Sequence, residues 1–92
     1  MEIKAGDILQ RGLHFYRVYT TTRNDIVVNK ILYNHIKEYL QINHDYDYIS
    51  WDKVGEGKLY TLLDCENDDT LAKLELVKRK YKIQKLNKLS EK

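Results

Sequence analysis

His35, His44, Asp45, Asp47 and Cys65 carry the donor atoms a metal ion needs, but their spacing argues against one. Zinc is held by cysteine pairs or by histidines one helical turn apart, and this chain has a single cysteine and no such histidine pair. Asp45 and Asp47 project to one side of a strand-like stretch and are candidates for paired carboxylates. Such pairs work when crowding in a dry cleft raises one pKa, and a 92-residue chain seldom encloses such a cleft. Two solvated acids flanking Tyr46 is the better reading. Gly55-Glu56-Gly57-Lys58 lacks the glycine spacing, the Ser or Thr after the lysine and the following helix of a phosphate loop, and a hairpin turn explains both glycines. Cys65 as a nucleophile would need a depressed thiol pKa and an orienting base, and no pattern supplies them. It reads as a small hydrophobe. Ser50 and Ser90, the only serines, leave nothing for a hydrolase triad. The expectation is a protein that is not an enzyme and uses no metal or cofactor.

Recognition is the chemistry left. Tyr46, Tyr48 and Trp51 are interleaved with Asp45 and Asp47, and tyrosine and tryptophan bury large area at interfaces with little rotamer loss. Spaced carboxylates can imitate phosphates toward a basic groove. These five residues are the expected partner-binding set, with a larger protein as partner. The alternative is nucleic acid, held by Lys78, Arg79, Lys82 and Lys85. Exposed Tyr16, Tyr46, Tyr48 and Trp51 would stack on unpaired bases, each for about 1–3 kcal/mol.

The elements that must position these residues follow from periodicity. His14–Thr21 and Ile26–Ile31, rich in aromatic and β-branched types, flank the polar break Thr22-Arg23-Asn24-Asp25 and predict a hairpin. Leu32, His35, Ile36, Tyr39 and Leu40 fall at helical spacing and predict a short helix over Leu32–Gln41, with His35 on its apolar face. Asp45–Trp51 alternates at period two, placing Tyr46 and Tyr48 on one face and Asp47, Ile49 and Trp51 on the other. Gly55–Gly57 then turns into Lys58–Cys65 as the partner strand of a second hairpin. Glu66–Asp69 suits a helix start. Beyond Thr70 there is neither Gly nor Pro, so a long helix follows with Leu71, Leu74, Val77 and Tyr81 on one face, fraying after Asn87. Leu74-Glu75-Leu76 and Tyr81-Lys82-Ile83 also alternate as strands would. The expected fold is α+β: a single domain with a small curved antiparallel sheet or partly open barrel of two hairpins, a short central helix and a longer basic C-terminal helix.

The charge is unevenly distributed. Lys73–Lys92 holds eight of sixteen Lys and Arg and two of fourteen acids, so a formal net charge of +2 conceals an acidic body and a cationic end. One cysteine allows no intrachain disulfide, and Met1–Gly6 lacks the apolar run of a signal peptide. No apolar stretch is long enough for a membrane span. The expectation is a cytoplasmic protein without a membrane partner. Leu71, Leu76, Ile83 and Leu86 point to a wide apolar side on this helix, and the part a monomer leaves exposed would favour a homodimer.

Gly6-Asp7-Ile8-Leu9, then Phe15-Tyr16-Arg17-Val18 and a polar turn into Ile26-Val27-Val28, resembles the opening of small barrel-like proteins encoded by bacteriophages. The resemblance covers the first third of the chain and transfers no functional residue. It implies a non-enzymatic modulator that binds a host protein, such as an immune nuclease or transcription machinery, or nucleic acid.

Overall fold

The computed structural model describes residues 2–64 and 69–90, the side chains of 85–90 excepted. Five antiparallel strands form one sheet: β1 (Ile8–Arg11), β2 (His14–Thr21), β3 (Asp25–Asn34), β4 (Tyr39–Ser50) and β5 (Thr61–Leu62). Their spatial order is β4-β3-β2-β1-β5, so β4 and β5 are free edges and the sheet does not close into a barrel. A 3-10 turn, Trp51–Lys53, follows β4, and a 21-residue helix α1 (Thr70–Ser90) completes the α+β fold.

The hairpin of β2 and β3 forms as expected, with Thr22 closing the turn. Its hydroxyl accepts the Asp25 N–H at 3.0 Å, and its own N–H donates to the Asp25 carbonyl at 2.8 Å. The central helix expected over Leu32–Gln41 is absent. That stretch ends β3, turns, and begins β4, with Leu32 opposite Gln41 and Asn34 opposite Tyr39. The Asn34 side chain drives the turn by accepting the backbone N–H groups of Ile36 and Lys37 at 3.0 and 2.9 Å. Glu38 then takes the left-handed conformation at φ 54°. His35 is exposed at this tip, edge-on to Tyr33, and not on a buried helix face.

The second expected hairpin is also revised. Asp45–Ser50 is a strand but pairs with β3, while Thr61–Leu62 pairs with β1. The segment between turns through Gly55–Gly57, with a parallel bridge between Val54 and Tyr60, and covers one sheet face. There Tyr60 and Ile3 close over Leu9, Tyr16, Val18, Ile26, Val28 and Ile49, with Trp51, Val54 and Leu62 packed around them.

Helix α1 covers the other face. It starts at Asp69, whose carboxylate accepts the Leu71 N–H at 3.3 Å. Val77, fully buried, packs on Ile8, Phe15, Ile31 and Leu63 together with Leu74, Leu76 and Tyr81. The Tyr81 hydroxyl donates to the Ile31 carbonyl at 2.7 Å, and its ring meets Phe15 edge-on and stacks on Tyr33. Burial pushes the Tyr81 phenol above its ordinary pKa. The strand-like alternation within 74–86 is therefore overridden by a continuous helix. Leu71, expected on the inner stripe, is 71% exposed, because the inward arc centres on Lys73 and Val77.

Lys73 is the unexpected member of that arc. Its ammonium reaches the Asp7 carboxylate at 2.9 Å, with both side chains more than nine-tenths buried. The second Asp7 oxygen accepts the Lys4 backbone N–H at 3.0 Å. Gly6, at φ 94°, lets the chain pass under the helix start, since a Cβ there would lie 3.2 Å from the Thr70 hydroxyl. Removing the Lys73 ammonium strands the buried Asp7 carboxylate in low dielectric. Lys73→Ala should therefore cost about 3–5 kcal/mol in urea unfolding. Asp7→Leu combined with Lys73→Met should recover most of that loss. A Lys73→Ala variant as stable as the parent would contradict this assignment.

Candidate functional site

Helix α1 covers only part of its sheet face. Strand alternation carries that face from Phe15 to Arg17 on β2 and from Ile31 to Asn29 on β3, and Asn29 pairs with Tyr46 on β4. Two irregularities interrupt the ladder there. On β2, Val18 faces Val28 and Thr20 faces Val27, so Tyr19 is an extra residue. On β4, the pairing jumps from Tyr46 to Ile42 while β3 advances only from Asn29 to Ile31, so Asn43, His44 and Asp45 bulge out opposite Lys30. Bulges re-aim side chains and twist the strand that carries them. Asn43 stabilises its own bulge by accepting the Asp45 N–H at 3.1 Å, and the Asn29 amide donates to the Asp45 carbonyl at 3.3 Å.

Between the bulges lies an open groove of about 260 Å³. Arg17 and Tyr19 line it from β2, Asn29 from β3, and Ile42, Asn43, His44 and Tyr46 from β4. The rings of Tyr19 and Tyr46 lie 5.0 Å apart, tilted by 58°. Tyr46 is 49% exposed, Tyr19 50% and Tyr48, the next residue on that face, 69%. These three tyrosines form the principal aromatic surface open to solvent.

The expected contact residues are thus only partly brought together. Tyr46 and Tyr48 do share one face. Asp47 and Ile49 take the other, as period two requires, with Asp47 exposed and Ile49 in the core. Asp45 is exposed but belongs to the bulge, so regular alternation does not carry from it to Asp47. Trp51 leaves the strand altogether. It is half-buried in the 3-10 turn against the opposite core, and its indole N–H donates to the Thr22 carbonyl at 2.9 Å, so its role there is structural. Tyr16 is buried edge-on against Tyr60 and offers no stacking surface. Arg17, Tyr19 and Asn29 escaped the sequence reading, since nothing in the residue order marks the bulges.

On α1, Arg79 and Lys82 are exposed and Lys78 is half-exposed on the outer side, while the Lys85 side chain lies outside the described residues. Among the described residues, no ion pair joins Lys78, Arg79 or Lys82 to a carboxylate. No group of three His, Cys, Asp or Glu among them could hold a metal ion. Cys65 lies outside the described residues. Among the described residues, no helix is long and apolar enough to cross a membrane. No family model, curated protein or solved structure matches the chain.

The Tyr46 phenol is held above its ordinary pKa, first by charge repulsion from Tyr19 and then by a hydrogen bond between the two. Tyr19→Phe removes both effects. Ultraviolet titration should then show the Tyr46 ionisation falling toward the usual value near 10. An unchanged Tyr46 titration would mean that the two rings are not neighbours in solution.

Proposed function

We propose that the protein is a small non-catalytic binding module, of the phage-encoded kind its opening resembles. It modulates a larger host protein by occupying part of that protein's surface. The observation that supports this reading is the set of three half-exposed tyrosines, Tyr19, Tyr46 and Tyr48, on the part of the sheet that α1 leaves uncovered. Aromatic residues on a rigid sheet lose little entropy on docking, and such residues dominate interface energetics. Asp45 and Asp47 at the β4 edge would add steering toward a basic rim.

A second reading has one observation in its favour. Helix α1, which carries Lys78, Arg79 and Lys82, lies on the same sheet face as the tyrosines. That arrangement suits single-stranded nucleic acid.

Affinity capture from a bacterial lysate, with and without nuclease, separates the two. The first reading predicts a protein retained by the parent after nuclease treatment and lost to Tyr46→Ala/Tyr48→Ala, with circular dichroism unchanged. Asp45→Lys/Asp47→Lys should weaken that capture. Capture unaffected by all four substitutions would contradict it. Retention on oligonucleotide that falls steeply with salt, and loses slope on substituting Gln for Lys78, Arg79 and Lys82, would favour the second.

A further inference from the structure

The groove between the two bulges contains a cation, Arg17, for which the described residues supply no counter-ion. Elsewhere in the fold the structural cations are satisfied, Lys73 by Asp7 at 2.9 Å and Arg11 by the Tyr60 hydroxyl at 3.1 Å. Arg17 is half-buried in the groove, yet among the described residues its guanidinium makes no hydrogen bond or ion pair. The neighbouring Asn29 is buried in the groove lining, and its side-chain amide donates to the Asp45 carbonyl at 3.3 Å. The adjoining rings of Tyr19 and Tyr46 supply apolar area in the lining.

We infer that this groove is a subsite for one carboxylate of the protein partner, an Asp or Glu side chain on a segment lying across Tyr46 and Tyr48. The inference rests on the reading that the partner is a protein. A guanidinium offers two parallel donors that match a carboxylate, and its weak hydration makes it the cation best suited to a half-buried ion pair. The pairing is screened less there than on an open surface. The neighbouring charge selects an isolated anion over a polyanion. Asp45 is exposed in the bulge that forms one wall of the groove, whereas Asp47 lies on the opposite sheet face. A phosphate chain crossing that edge would bring several negative charges beside Asp45, whereas a single carboxylate brings one to Arg17. Arginine and tyrosine together also form the composition that concentrates binding energy at protein interfaces.

The test uses the full chain labelled with nitrogen-15 and three probes: the blocked peptide acetyl-Gly-Glu-Phe-Gly-amide, its Gln counterpart, and a thymidine hexanucleotide. The Glu peptide should shift the Arg17 side-chain N–H and the Asn29 side-chain amide resonances, and the Gln peptide should leave them in place. Arg17→Gln should weaken the Glu peptide by about tenfold or more, and Arg17→Lys should retain part of the affinity. Equal shifts from the two peptides, no shift from either, or larger shifts from the hexanucleotide would each overturn the subsite. Partner capture distinguishes this failure from that of the binding-face reading. If Tyr46→Ala/Tyr48→Ala abolishes capture while Arg17→Gln leaves it intact, the face stands and the carboxylate subsite falls.

Discussion

The buried ion pair between Asp7 and Lys73 fixes where α1 lies, and the arrangement of every exposed group depends on that position. The two residues are 66 apart in sequence, and their side chains meet at 2.9 Å in a setting that excludes water. Hydrophobic contact alone would let a helix slide along an apolar sheet face, because dispersion and burial are weakly directional. A charge pair removed from solvent tolerates no such slippage, since misplacing either partner leaves an uncompensated ion. Lys73 near the first turn of α1 is thereby seated at the start of β1. Val77 and Tyr81 follow one and two turns later, over Phe15 and Ile31. The helix is thus committed to one part of the face, and the part beyond Arg17 and Asn29 stays open.

That open part is shaped by departures from regular pairing. A flat ladder would have presented Arg17, Asn29 and Tyr46 as an even row. The extra Tyr19 on β2 and the three-residue bulge on β4 turn the row into a groove, with aromatic walls and a cation in its lining. The β4 bulge also breaks up an otherwise long free edge, which limits unspecific strand pairing. Local distortion therefore serves both as protection and as a site.

What the sequence disclosed follows the range of the interactions concerned. The β2–β3 hairpin was legible because β-branched and aromatic runs flank a short polar turn. So was α1, with Asp69 at its start and no Gly or Pro within. Leu32–Gln41 misled because two strand ends around a turn happened to reproduce helical spacing. The informative residue was Asn34, whose side chain captures two backbone N–H groups. Asp45–Ser50 was legible as a strand, but its partner was not, because sheet pairing is decided by packing between distant segments. Tyr46 and Tyr48 emerged from period two, and Trp51 did not behave as the same pattern implied because the strand ends at Ser50. Arg17, Tyr19 and the Asp7–Lys73 pair depend on register and long-range contact, which no local pattern encodes.

The central claim is that α1 is anchored over β1 and the Phe15–Ile31 region, leaving Tyr46 and Tyr48 uncovered. Nuclear Overhauser contacts in solution test it directly. The account predicts contacts from Val77 and Tyr81 to Phe15 and Ile31, with no contact from the α1 side chains through Gln84 to the rings of Tyr46 or Tyr48. Contacts from α1 to those two rings, or none to Phe15, would contradict it.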